Sequence, residues 1–206
     1  MDSLNPIQRP QTNIFDLSHE VKTTIDQGYL YPMLLLEALP GDSFRIKPEL
    51  MLRFIPMLAP VMHRVHVIQD FFFVPNRILW DNWEKWIVGE LEAEPPYISL
   101  TVDYNIPIDR YTYLHYLGIP SGLSRAEINN YKLSAFPPAA FERIYDEYYR
   151  DQNLITQAVW ADKLSNGPNP MTLAEAFHKT RAWEHDYFTS GLPWAQKGDP
   201  VMIPLF

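Results

Sequence analysis

Two stretches of the chain alternate apolar and polar side chains with a period of two. In "SFRIK" at 43–47, Phe44 and Ile46 alternate with Ser43, Arg45 and Lys47, the pattern of a half-buried strand. In "VHVIQDFFFV" at 65–74, Val65, Val67, Phe71 and Phe73 share one face, and His66, Ile68, Phe72 and Val74 share the other. Both faces are apolar there, as expected of a strand covered on each side. Pro75 ends that strand, and Asn76 is placed to cap a helix whose inward stripe is Leu79, Trp80, Trp83, Trp86 and Ile87. A second helix is predicted in "AFPPAAFERIYDEYYRDQNL", where Phe141, Ile144, Tyr145, Tyr148 and Tyr149 recur at helical spacing. Pro138 lies near its start, and Glu142 with Asp146 suits its early turns electrostatically. "YTYLHYLGIPSG" predicts a short helix ended by Gly118 and Pro120. Thr172 and Glu175 have capping-box spacing for another, running through Phe177.

The remaining apolar runs are punctuated. "GYLYPMLLLEAL" at 28–39 is interrupted by Pro32, and the turn Pro40-Gly41-Asp42 that follows favours strand or extended chain over helix. "ELMLRFIPMLAPVM" at 49–62 is broken by Pro56 and Pro60 and reads as a core or interface connection. Residues 1–20 are polar and aperiodic, an extended arm that is either disordered or laid across a neighbouring subunit. The tail after 185 returns to extended, proline-punctuated chain. About four short helices, placed in connections, favour an all-β framework with helical insertions over a doubly wound α/β domain.

Composition sharpens this picture. The 206 residues are 47% hydrophobic, enough for one domain core, and 19 prolines against 8 glycines imply short elements and extended connections. A net charge of -8 without a basic run does not offer a polyanion-binding surface. The absence of cysteine excludes a disulfide framework and a thiolate metal site. "MDSLNPIQRPQTNIF" lacks the basic start and apolar run of a signal peptide, and no apolar run is long enough to span a bilayer.

Catalytic chemistry finds no foothold. His63 and His66 would point to opposite faces of a strand, and "HEVK" lacks the second histidine of a zinc-protease motif. No phosphate-binding glycine loop and no nucleophile elbow are present. We therefore expect no catalytic residue, no cofactor and no metal. The aromatics leave three readings open. Trp80, Trp83 and Trp86 could fill a core, meet another subunit, or stack single-stranded nucleic acid, and Tyr145 and Tyr149 on the later helix join them as possible subunit-interface residues. Arg77 and Lys85 are too little positive charge for the last of these.

Several long words carry a family resemblance: "FDLSHEVKTTIDQGYLYP", "EALPGDSFRIK", "APVMHRVHVIQDFFFVPNRILWDNWEKW", "LSAFPPAAFERIYDEYYRDQNL" and "HDYFTSGLPWAQKGDPVMIPL". Together, in this order, they resemble the major capsid proteins of the microviruses, small single-stranded DNA phages, and especially their gokushovirus-like branch. The resemblance implies an eight-stranded antiparallel jelly roll with helical insertions at about 76–180. It also implies a sixty-copy icosahedral shell around single-stranded DNA, formed by self-association and assisted by a separate small basic DNA-binding protein. Pro40, Gly41 and Asp42 would form the turn into an early strand, and Phe71, Phe72 and Phe73 would lie in the sandwich core. The shell would be the virion capsid, assembled in the host cytoplasm without a membrane partner. Because family members are more than twice this long, residues 21–206 are expected to be the N-terminal part of an incomplete jelly-roll domain, preceded by the arm at 1–20. The alternative is a non-catalytic binding module on a β-sandwich, taking glycan or single-stranded nucleic acid.

Overall fold

The computed structural model describes residues 13–60, 62–101, 111–160, 163–172, 174–184 and 186–188. The start of the arm, His185 and the tail from 189 onward lie outside the described residues.

Packing is concentrated after residue 75. The elements there are α1 (Asn76–Leu79), α2 (Trp83–Ile87), β1 (Tyr97–Leu100), α3 (Tyr113–Tyr116), α4 (Arg125–Tyr131), α5 (Phe136–Ile144) and β2 (Pro168–Met171). Helix α5 continues into a π-helical turn at Tyr145–Tyr149, closed where the Arg150 N–H donates to the Tyr145 carbonyl at 2.9 Å. One core joins them, including Leu79, Trp80, Ile98, Leu100, Tyr113, Leu114, Ile128, Ala139, Leu164, Met171 and Ala176.

Strand β1 buries Ile98 and Leu100 and pairs in parallel with β2, Tyr97 opposite Pro168 and Leu100 opposite Met171. On the other edge of β1, Ile98 N–H donates to Leu133 O at 2.8 Å. The Asn129 side chain brackets Leu100, accepting from its N–H at 2.8 Å and donating to its carbonyl at 3.2 Å. A side-chain amide of α4 thus satisfies backbone groups that a third strand would otherwise pair. Helix α4 starts with a complete capping box between Ser124 and Glu127. Helix α5 tolerates Pro137 and Pro138 because its first-turn N–H groups have no intrahelical partner.

The eight-stranded antiparallel jelly roll is not what the described residues form. The described residues contain two strands of four residues each, paired in parallel, and helices and irregular chain make up the rest. The two stretches with strand periodicity, 43–47 and 65–74, belong to no strand. Alternation decides which way each side chain faces, but a strand also needs a row of N–H and C=O groups opposite it. Among the described residues, neither stretch has such a row. Phe44, Ile46, Val65, Val67 and Ile68 are all exposed.

The helical expectations fare better. Helix α3 ends at Gly118, whose φ is +94° and whose N–H donates to His115 O at 3.1 Å. The helix expected from "AFPPAAFERIYDEYY" forms as α5 and its π turn. The helix expected after Asn76 breaks in two at Trp80, which is extended at φ -143° and ψ 118°. Asn76 stands inside α1 rather than capping it, with Pro75 at the cap and no side-chain bond there. Thr172 and Glu175 make their reciprocal bonds, but they hold a turn instead of a helix.

Candidate subunit-contact surface

Residues 13–60 and 62–74 form no helix and no strand beyond an isolated bridge at Tyr29, and Pro32, Pro40, Pro48 and Pro56 explain much of this. A proline every eight residues removes the N–H groups and imposes the clashes that prevent a long helix. One turn lies at Pro40-Gly41: Asp42 N–H donates to Leu39 O at 3.0 Å, and Asp42 Oδ2 accepts from Leu39 N–H at 3.0 Å. Gly41 takes φ +98°, which the third position of a type II turn demands. Along this ribbon the large apolar side chains face solvent. Ile14, Leu39, Met51, Phe54, Ile55 and Leu58 are exposed, as are Phe71 (52%), Phe72 (37%) and Phe73 (78%). Large contiguous apolar surface marks interaction sites, and the exposed side chains of this ribbon make it the candidate for one.

Two anchors hold the ribbon to the packed part. At the first, Leu30 N–H donates to Lys179 O at 2.9 Å, Tyr29 pairs with Thr180, and Tyr116 Oη–H donates to Thr24 O at 2.8 Å. The Tyr31 ring packs on Tyr116 at 4.9 Å and on His178 at 4.5 Å. At the second, Phe72 meets Tyr148 at 4.9 Å and Tyr149 at 6.0 Å, while the Tyr149 hydroxyl donates to Asp70. Burial, then the bond to Asp70, pushes that hydroxyl well above the usual phenol range.

The tryptophans converge. Trp80 is buried and its indole N–H donates to Asn166 Oδ1 at 2.8 Å. Trp86 lies 6.0 Å from Trp80 and 5.7 Å from Trp83, and Phe136 closes the group 5.4 Å from Trp83. Trp83 and Trp86 are half-buried. Tyr145 is buried and Tyr149 half-buried, at opposite ends of the π turn.

One cluster escaped the sequence reading. Glu142 is fully buried, accepts from the Tyr113 hydroxyl at 2.6 Å, and lies 3.4 Å from Lys179 Nζ. Burial raises its carboxyl to about 7, against the opposing pull of the Lys179 cation and the Tyr113 hydrogen bond. The available signal was its place on the inward stripe of α5, three residues before Tyr145. Beside it, Asp146 pairs with Arg150 at 2.9 Å and accepts from Ala158 N–H at 3.1 Å.

Among the described residues no group of three or more histidines, aspartates or glutamates could hold a metal ion. What these residues build is exposed apolar side chains on a ribbon anchored to a small core. Sequence comparison agrees: the chain belongs to the capsid protein (F protein) family, whose sequence model matches residues 5–205. It is 34% identical to capsid protein VP1 of Chlamydia phage 1, across 92% of this chain and 34% of that protein. To capsid protein VP1 of Bdellovibrio phage phiMH2K it is 35% identical, across 93% and 35%. The corresponding protein of Spiroplasma virus 4 is 26% identical, across 97% and 36%. The chain thus spans about a third of the length of these relatives. A member of this family is a structural protein and not an enzyme.

Proposed function

We propose that the chain acts by self-association as a structural subunit in the capsid of a small single-stranded DNA phage, a microvirus of the gokushovirus-like branch. The observation that carries the proposal is the apolar ribbon from Ile14 to Phe73, exposed in the single chain and read together with the family match. Aromatic residues and methionine are enriched at protein interfaces relative to the rest of the surface. Closed symmetry lets one such ribbon serve at every copy.

In this proposal sixty copies enclose the DNA within the virion, after assembly in the host cytoplasm. A net charge of -8 leaves contact with DNA to a separate small basic protein. Residues 1–20 act as the arm that crosses a neighbour, and residues 21–206 form one part of a longer capsid domain. Phe71, Phe72 and Phe73 are covered when a second copy packs there, and the Pro40-Gly41-Asp42 turn sets where the ribbon reverses. Trp83, Trp86 and Tyr149 keep edges within a neighbour's reach, while Trp80 and Tyr145 act through the core that positions them. Among the described residues no helix is long and apolar enough to cross a membrane.

Oxidative footprinting tests the covering directly. Met51 and Met57 are exposed in the single chain and should oxidise readily when it is dilute. Association should slow their oxidation at least several-fold. Unchanged rates at Met51 and Met57, in a sample whose mass has risen, would place the interface elsewhere and refute the role given to the ribbon.

A further inference from the structure

The turn that leads into β2 is held from several sides. Asn166 is the one asparagine of the sequence that is followed by glycine. Its Oδ1 accepts from the Trp80 indole N–H at 2.8 Å and from Asn82 Nδ2–H at 3.0 Å. The Gly167 N–H donates to Glu94 O at 3.0 Å, and the Gly167 carbonyl accepts from Tyr97 N–H and from Asn169 Nδ2–H, both at 2.9 Å. Asn169 is buried and also clasps Ser165, accepting from its N–H at 2.8 Å and donating to its carbonyl at 2.9 Å. Gly167 is buried at φ +73°, a conformation that strains any residue with a side chain. The fold thus uses both residues of the pair: the amide satisfies the Trp80 indole, and the glycine makes the turn.

The same pair carries a reaction of its own. A glycine nitrogen, with no side chain beside it, is the least hindered backbone nucleophile that can follow an asparagine. We propose that Asn166–Gly167 is a self-modification site, held closed by the pairing of β1 with β2 and converted by deamidation when that pairing opens. In the open chain the Gly167 nitrogen gives its proton to hydroxide and bonds to Asn166 Cγ. The bond from Cγ to Nδ2 then breaks, and ammonia leaves with a proton taken from water. A second water opens the five-membered imide at either carbonyl, leaving aspartate or isoaspartate. Asparagine and water become an acid and ammonia, so no other reactant is needed.

In the closed chain two effects oppose each other. The two donors on Oδ1 would by themselves favour attack, because they would stabilise the charge that develops on that oxygen. Against this, the nucleophilic nitrogen is buried with its proton committed to Glu94, and Asn169 fixes the main chain on both sides of the reacting bond. The second effect wins, because no nucleophile exists until water or hydroxide reaches that proton. The products then differ. Aspartate still offers an acceptor to Trp80 and Asn82. Isoaspartate routes the main chain through the former side chain and adds one methylene between Leu164, which donates to Leu79 O at 2.8 Å, and Gly167. The bonds on the two sides no longer fit together, so an opening is recorded once and not undone. This record concerns the chain's own backbone and stands independently of self-association.

Peptide mass spectrometry of the whole chain, aged at mildly alkaline pH, tests the site. Conversion at Asn166 should be at least about tenfold slower in the native chain than in urea-unfolded chain, and Asn169→Ala should speed it in the folded chain while leaving the urea rate unchanged. Native conversion as fast as the unfolded rate, or faster, overturns the lock. An unfolded chain that converts at Asn13 or Asn153 before Asn166 overturns the choice of site. Should Asn169→Ala not fold, urea below the unfolding transition of the native chain takes its place. Conversion should then rise in step with hydrogen exchange at the Gly167 and Tyr97 amides, and either one rising without the other overturns the proposal. Chain carrying isoaspartate, returned to buffer, should stay readily exchanged at those two amides; full return of their protection overturns the one-way record.

Discussion

Tyr113 and Glu142 illustrate how much rests on one buried contact. Replacing Tyr113 with Phe keeps the ring, which packs 4.4 Å from Phe141, but removes the hydrogen bond to the buried carboxyl. The variant should lose about 1–3 kcal/mol in chemical denaturation, the range for leaving a buried polar group short of a partner. Because the folded carboxyl is raised above its unfolded value, Glu142 favours the fold at acid pH and ceases to do so as pH rises through about 7. Thermal unfolding should therefore show Glu142→Gln gaining on the native chain from about pH 5.5 to 8.5, and a constant difference would contradict that sign. At this scale the sequence was only partly informative. Position on a helical stripe identified Tyr145 and Tyr149 as neighbours on one face, but Glu142 was read only as an acid that suits the early turns of the helix, not as a buried group. A carboxylate is buried only when distant partners exist, and Tyr113 and Lys179 are brought to it by the tertiary fold.

Local chemistry made some elements legible and missed others: the Ser124–Glu127 capping box of α4 went unread, Asn76 caps nothing, and Thr172–Glu175 holds only a turn, while elements that rest on remote pairing were not legible at all. Gly118 ends α3 and the prolines open α5, because caps and breakers act within one turn. Strand β2 reads Pro-Asn-Pro-Met, which carries no strand signature; it pairs with β1 across some 70 intervening positions by turning both prolines outward. The reverse error arose at 43–47 and 65–74, where good alternation has no partner row among the described residues. Two substitutions separate the supports of β1. Ser124→Ala removes the α4 cap and should cost about 1 kcal/mol, whereas Asn129→Ala strips both bonds from Leu100 and should cost about 1–3 kcal/mol. Equal losses in equilibrium unfolding would mean that Asn129 does not stand in for a strand.

For the molecule as a whole, the family was readable from long ordered words because they reach from Phe15 to Leu205, and the family match spans nearly the same residues. The jelly roll carried over with the resemblance is not what the described residues form: they hold two four-residue strands paired in parallel, with helices and irregular chain around them. The most direct test of self-association is the mass of the chain by light scattering across a concentration series, with negative-stain imaging of the same samples. The account predicts a mass that rises with concentration towards discrete, regular assemblies. A monodisperse monomer at every concentration, with no particles in the images, would contradict it.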